Sequence, residues 1–299
     1  MYRAEHPNPQ FERDTYTCLN GEWEFEIGKS SEKMNASLSS KIEVPFCMES
    51  KLSGIHNTDF ITDCMYSREI EVKQSDLEGR FVLHFGAVDY KTEVYVNGEK
   101  AGEHKGGYTA FEVEITPFVT VGKNRITVVI HDDITENVPS GKQSRKRESF
   151  GCFYTRVTGI WQTVWLERTP KEYIKQIKFY PNIADGSVRT EIISEGKAAT
   201  EITVYYDGRQ VGKATGDGYY RHDYEIKLAE KHLWEIGNGR LYDVIIKFGD
   251  DEVKSYFGLR EVKFEKRKFL LNGKSIFQRL VLDQGYYPQG LYTAPSVEC

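Results

Sequence analysis

The residues best placed to do chemistry stand at the end of the run FQRLVLDQGYYP. Phe277 to Leu282 reads as a buried strand, and it leads directly into Asp283, Gln284, Tyr286 and Tyr287. A strand that ends in polar and aromatic groups delivers side chains to a site. When carboxyls alone do acid–base work across one bond, two of them must be held at a fixed separation. Asp89, in FGAVDYKTEVYVNG, is the most buried-looking acid, and the expectation for it is structural: bonding neighbouring backbone amides. No second acid pairs with it on sequence grounds. The seven histidines contain no H-E-x-x-H, so no helix-borne metal site is signalled, and His84 in FVLHFG reads as a satisfied strand residue. DGRQVGKAT is one residue short of a phosphate loop, with Ala214 where Ser or Thr is needed, and no serine stands in a G-x-S-x-G elbow.

The elements that must position these residues are strands. GEWEFEIG alternates Trp23, Phe25 and Ile27 with Glu22, Glu24 and Glu26, which puts apolar groups on one face and charges on the other. FVLHF, RITVVI, TVWLE, YIKQIKFY, EITVYY, DYEIKL and DVIIKF behave alike. Asn97-Gly98, Asp207-Gly208 and Asn272-Gly273 sit between strand-like runs and suit two-residue hairpin turns. LAEKHLWEI, Leu228 to Ile236, could hold a helical turn or two. The segment from His131 to Thr158 has little strand patterning. A loop that long is usually functional or disordered, and its basic cluster of Lys142, Arg145, Lys146 and Arg147 reads as a solvated loop more readily than as an anion site.

Length and composition bound the rest. The 299 residues suit about two domains, and 39 % hydrophobic with 28 % charged residues describes a globular protein. A formal net charge of −5 gives no reason to expect nucleic acid, and no apolar run is long enough for a membrane span. The first residues lack a signal-peptide pattern, so a cytoplasmic location is expected. Five cysteines without a C-x-x-C pair are expected to be free thiols.

At this point the order of segments resembles the amino-terminal half of glycoside hydrolase family 2, which contains β-galactosidases, β-glucuronidases and β-mannosidases. PQFERDTYTCLNGEWEFEI is similar to the family's opening strand, and EVPFCMESKLSGI followed by MYSREIEV to its next segment. LHFGAVDYKTEVYVNGEKAGEHKGGYTAFEVEIT is the most specific match. RVTGIWQTVWLE closes a first domain as members do, and KFLLNGKSIFQRLVLDQGYYP resembles the hairpin and first strand of the family's barrel. There are departures. Leu280 follows Arg279 where relatives carry glycine, the strand lacks the histidine of well-known β-galactosidases, and Phe153 and Tyr154 stand where β-glucuronidases carry an aspartate. Neither familiar specificity is therefore assigned.

The resemblance implies an all-β chain: a jelly-roll sugar-binding sandwich over 1–170, an immunoglobulin-like sandwich over 171–265, and the first hairpin and strand of a truncated (β/α)₈ barrel over 266–299. It implies a retaining β-glycosidase whose two catalytic glutamates lie beyond residue 299, so the 299 residues are expected to be inactive alone and to carry no catalytic residue. Residues after Lys266 are expected to be poorly anchored or packed on the second sandwich. Asp283, Gln284, Tyr286, Arg156 and Tyr154 are the implied substrate-binding residues. No metal and no cofactor are implied. The expected partner is a carbohydrate, with neither nucleic acid nor membrane, and the family allows a homo-oligomer. The alternatives are a stand-alone carbohydrate-binding module and a β-sandwich interaction protein.

Overall fold

The computed structural model describes residues 2–299 and is built almost wholly of strands. Among these residues the helices are short 3-10 turns at Ser31–Lys33, Gln74–Leu77 and Thr116–Phe118. None is long and apolar enough to cross a membrane, which says nothing of a β-barrel. The chain divides into two compact units. One comprises residues 2–7, Thr15–Arg168 and Asp283–Cys299; the other comprises Asn8–Asp14 and Thr169–Leu282.

In the first unit six strands form one sheet in the order Ser40–Val44, Gly21–Ile27, Asp63–Val72, Gly122–His131, Lys91–Val96, Glu99–Lys105. A second sheet orders Thr17–Cys18, Val164–Thr169, Arg80–Phe85 and Phe111–Glu114. One core lies between them: Phe25, Tyr66, Val94 and Val128 from the larger sheet meet Leu83, Phe85, Val113 and Leu166 from the smaller. The alternation in GEWEFEIG explains which side of its strand is buried, since Trp23 and Phe25 are each 1 % exposed. Ile27, at the strand's end, breaks the pattern and is exposed. His84 stacks on Trp165 at 4.9 Å and lies 3.6 Å from both Glu112 and Glu167. A two-residue pairing of Val88–Asp89 with Gly159–Ile160 fixes Asp89 opposite Gly159.

The second unit is organised by a long ribbon, Ser187–Tyr206 paired with Arg209–Lys227. Residues 187–195 of its first strand also pair with Tyr173–Asn182, whereas 200–205 pair with Tyr242–Phe248, itself paired with Asp251–Phe257. The ribbon thus changes neighbours midway. The change falls at a register break between Ile193 and Lys197, where Gly196 and Tyr220 both adopt positive φ, of 77° and 53°. The two halves then face each other, with Phe179 5.2 Å from Phe257 and His222 5.8 Å from Phe248. Arg13 forks onto Asp251 at 2.8 and 3.0 Å, a buried ion pair whose carboxylate also accepts the Ile174 N–H.

All three dipeptides expected in hairpins are turns with both central residues at positive φ: 52° and 86° at Asn97-Gly98, 48° and 73° at Asp207-Gly208, 50° and 78° at Asn272-Gly273. This is the backbone a two-residue hairpin with the sheet's twist requires.

Three expectations need correction. LAEKHLWEI forms no helix; its residues make isolated bridges, Leu233 with Leu259 and Glu235 with Asn238. Phe277 to Leu282 is neither strand nor buried: Phe277, Leu280, Val281 and Leu282 are 88, 79, 91 and 84 % exposed. An apolar run becomes a strand only where a neighbour takes its N–H and C=O groups, and none of the described residues does so here. Residues past Lys266 divide: those up to Leu282 fall in the second unit, in keeping with one of the two alternatives, and the rest depart from both. Lys268–Leu271 pairs with Val262–Glu265 and Lys274–Ser275, and Asp283–Cys299 joins the first unit, where Thr293 Oγ1 donates to the carbonyls of Pro45 and Trp161 at 3.1 and 2.5 Å. The five cysteines are free thiols, with Cys47 and Cys64 buried.

Candidate functional site

Within the first unit, aromatic side chains from three segments gather around a cleft of 390 Å³. Tyr108 comes from the turn after the Glu99–Lys105 strand, Trp161 from the residue after Ile160, and Tyr286 and Tyr292 from the last stretch of the chain. Tyr292 lies 5.0 Å from Trp161, 4.9 Å from Tyr286 and 6.0 Å from Tyr108 between ring centroids. Tyr108 and Tyr292 share a hydroxyl contact of 3.2 Å. Gly141, Lys142, Gln284 and Gly285 complete the lining, and Lys142 Nζ donates to Gln284 Oε1 at 3.0 Å. Burial raises all three tyrosine hydroxyls above the ordinary phenol value, Tyr286 to about 12, so they are neutral and able to donate. Tilted rings edged by hydroxyls, an amide and an ammonium suit a flat ligand with polar groups around its rim.

Behind the cleft lies a buried polar network. Asp89, 2 % exposed, accepts a 2.6 Å bond from Gln143 Nε2. The same nitrogen lies 3.3 Å from the Tyr108 hydroxyl, and Gln143 Oε1 accepts the Val157 N–H at 3.0 Å. Asp89 therefore bonds a side-chain amide rather than the backbone amides expected of it. Its carboxyl leaves no room for a side chain at Gly107, where a Cβ would stand 2.3 Å from Oδ1. The Gly107 carbonyl in turn receives the Trp161 indole N–H at 2.8 Å. Deeper, Thr158 donates its N–H to Glu49 at 3.1 Å and its hydroxyl to Asp132 at 3.0 Å. Burial pushes these acids up, Asp89 to about 8, Glu49 to about 7 and Asp132 to about 6, with the Asp132 charge adding to the rise at Asp89.

The five residues expected to bind substrate divide. Tyr154 and Tyr286 stack at 4.0 Å with 19° between their planes, and Gln284 and Tyr286 line the cleft. Asp283 is exposed and accepts the Gly285 N–H at 2.8 Å, closing a local turn. Arg156 lies elsewhere. It is 3 % exposed, its guanidinium donates to the carbonyls of Ser144, Lys146, Thr58 and Asp59, and it covers the Phe60 ring at 4.1 Å. It borders a separate hollow of 440 Å³ with Phe60 and Asp132. Of the basic cluster, Lys142 reaches the cleft, Arg147 pairs with Asp59 at 3.0 Å, and Lys146 lies 4.2 Å over Phe150. Tyr108, Trp161, Tyr292 and Gln143 were not among the sequence candidates. The signal nearest to them is the glycine pair before Tyr108 in KGGYTA, where close backbone approach to Asp89 requires a residue without Cβ.

Residues 16–170 match the family model described as glycosyl hydrolases family 2, sugar binding domain. The β-glucuronidase of Streptococcus agalactiae is 27 % identical over 291 residues, which cover 89 % of this chain and 47 % of that protein. The β-galactosidase of Thermoanaerobacter pseudethanolicus is 28 % identical over 237 residues, 71 % of this chain and 30 % of that one. The apo structure of a Ruminococcus gnavus β-glucuronidase superposes with a TM-score of 0.75 at 22 % identity, covering 92 % of this chain and 50 % of the other. At that identity the likeness is one of fold. The chain spans under half the length of the two sequence relatives.

Proposed function

The chain belongs to glycosyl hydrolase family 2, and from that premise we propose that its 299 residues supply the non-catalytic, sugar-positioning portion of a retaining β-glycosidase. The observation that carries this reading is the aromatic cleft of the first unit. Its walls are rings, hydroxyls, an amide and a lysine, which is equipment for holding a pyranose by stacking and hydrogen bonds. Retaining hydrolysis needs two carboxyls about 5–5.5 Å apart across the scissile bond. The buried acids nearest the cleft are engaged otherwise: Asp89 with Gln143, Asp132 and Glu49 with Thr158. In this reading the first unit is a jelly-roll sugar-binding domain, the second an immunoglobulin-like sandwich, and the segment from Lys266 opens a (β/α)₈ barrel that carries both glutamates. Barrel neighbours would cover the exposed run Phe277 to Leu282. Asp283, Gln284, Tyr286 and Tyr154 would then face substrate, with Arg156 holding the loop behind them. Five free thiols favour a reducing compartment.

The test combines an activity assay with a titration. The purified chain is expected to show no turnover of 4-nitrophenyl β-glycosides; an enzyme-like rate would overturn the non-catalytic reading. Methyl β-glycosides are expected to quench Trp161 emission, and Trp161→Ala to abolish that response. The cleft is walled entirely by residues of the first unit, which favours a second reading as a self-sufficient carbohydrate-binding module. Millimolar or tighter calorimetric affinity for the chain alone would select it.

A further inference from the structure

Gln143 is 4 % exposed and lies in the long loop between the strands ending at His131 and starting at Gly159. Both ends of its amide are in use. Nε2 donates to Asp89 Oδ2 at 2.6 Å and lies 3.3 Å from the Tyr108 hydroxyl, while Oε1 accepts the Val157 N–H at 3.0 Å. The amide cannot be turned over, because its NH2 group would then face the Val157 N–H, donor against donor. With Gln143 on one lone pair of the Tyr108 oxygen, the phenol proton is free to point to Tyr292, 3.2 Å away. A directed chain therefore runs from buried acid to cleft wall: Gln143 to Asp89, Gln143 to Tyr108, Tyr108 to Tyr292. The Asp89 carboxyl also packs against Gly107, whose carbonyl holds the Trp161 indole at 2.8 Å. One buried acid thus underlies both rings that define the cleft's inner edge.

We propose that Gln143 is the positioning residue of this cleft: through it the buried Asp89 carboxyl fixes the hydroxyl of Tyr108 and, beyond it, that of Tyr292, so that the hydrogen-bonding rim met by a sugar is set from underneath. The inference deepens the sugar-holding reading and rests on it for its ligand, though not for its geometry. Gln143 touches neither substrate nor reacting atoms in this scheme. It acts through Tyr108.

The experiment uses the full 299-residue chain carrying ¹³C-labelled tyrosine, with methyl β-D-glucoside and methyl β-D-glucuronide as probes. Asp89 is faced by the charges of Asp132 and Glu49 and by the phenols of Tyr108 and Tyr292, so its titration is followed at the ring carbon of Tyr108. In the wild type that signal is expected to move with a midpoint above pH 7. In Gln143→Leu the step should vanish and binding of the favoured glycoside should weaken about tenfold at most, the size expected when a hydroxyl loses one hydrogen-bond donor. Asp89→Asn keeps an acceptor for Gln143 but cannot ionise there. It should lose the pH step and weaken binding less than Gln143→Leu does. An unchanged Tyr108 signal in Gln143→Leu, or a pH step that survives in Asp89→Asn, would overturn the proposal. If the wild type binds neither glycoside, the sugar-holding reading fails, while the Tyr108 signal still decides the coupling. Should Gln143→Leu fail to fold, Asp89→Asn carries the test alone.

Discussion

Each compact unit buries a cluster of polar side chains, one behind the cleft and one along the long ribbon, and these two clusters are handled in opposite ways. The contrast is between the clusters, since the first unit also leaves Thr92 and Trp165 without hydrogen-bond partners among the described protein atoms and the second unit pairs Arg13 with Asp251. In the first unit, Glu49, Asp89, Asp132, Gln143, Arg156 and Thr158 are tied to one another or to main-chain groups. In the second unit, the hydroxyls of Thr190, Ser194, Thr200 and Tyr224 and both ring nitrogens of His222 have no hydrogen-bond partner among the described protein atoms. These side chains lie along the two strands of the long ribbon, Thr190 opposite Tyr224 and His222 opposite Ile192. The difference follows from what each group costs when left alone. A lone buried hydroxyl costs about 1–3 kcal/mol, whereas an unpaired buried charge costs several times more and is rarely tolerated. It also follows from what orders the backbone. The ribbon is held by its ladder whatever its side chains do. The loop between His131 and Gly159 has only isolated bridges, Gln143 with Tyr154 and Phe150 with Phe153, so the side-chain bonds of Gln143, Ser144 and Arg156 contribute much of its shape.

The contrast can be broken most directly at Arg156. Arg156→Met is expected to destabilise the first unit by about 3 kcal/mol, because it strips charged donors from the carbonyls of Lys146 and Thr58 and leaves them unsatisfied. Urea unfolding followed by tryptophan fluorescence would measure it. A loss below 1 kcal/mol, about the size of an exposed pair, would mean that the loop is held by something else.

A matched pair of changes sharpens the comparison. Thr158→Val strips the hydroxyl that Asp132 accepts and should cost about 1–3 kcal/mol. Thr190→Val removes a hydroxyl that has nothing to lose and should be neutral or stabilising by up to about 1 kcal/mol. Equal losses in the two variants, read from the same denaturant curves, would show that the two clusters do not differ in kind.

The smallest expected effect is a pH response of opposite sign in the two units. Asp89, Glu49 and Asp132 keep their protons to higher pH when folded, so between about pH 4 and those raised values the folded state binds more protons and loses stability as pH rises. His131, raised by its bond to Asp63, adds in the same direction. Burial lowers His222, so below about pH 6.5 the unfolded state takes up the extra proton and the second unit loses stability as pH falls. From pH 8 to pH 5 the first unit should therefore gain and the second should lose. Hydrogen exchange by mass spectrometry, corrected for intrinsic rates, would resolve the two. Movement of both units in one direction would contradict the assignment.

Much of the fold was legible because its signals are local. The three Asn-Gly and Asp-Gly turns and the alternation in GEWEFEIG depend on residues a few positions apart, and the structure has them where the pattern put them. What failed depended on neighbours. Phe277 to Leu282 has a strand's composition, but pairing is a property of two segments, and one segment cannot announce it. The candidate site shows the same limit. Tyr154 and Tyr286 drew attention from their own surroundings and do stack. Tyr108 and Tyr292 meet across 184 positions of chain, and Trp161 joins them only once the fold has brought its strand alongside Asp89.

The ribbon of the second unit bears on how that unit comes together. Residues flanking Asp207-Gly208 are already close in sequence, so closing the hairpin demands little loop entropy, and each further rung adds only a short increment. Because its first strand pairs with Tyr173–Asn182 along one stretch and with Tyr242–Phe248 along another, a hairpin closed from that turn would offer pairing edges for both flanking strands. A β-architecture that is ordinarily slow to assemble is thereby given a local starting point.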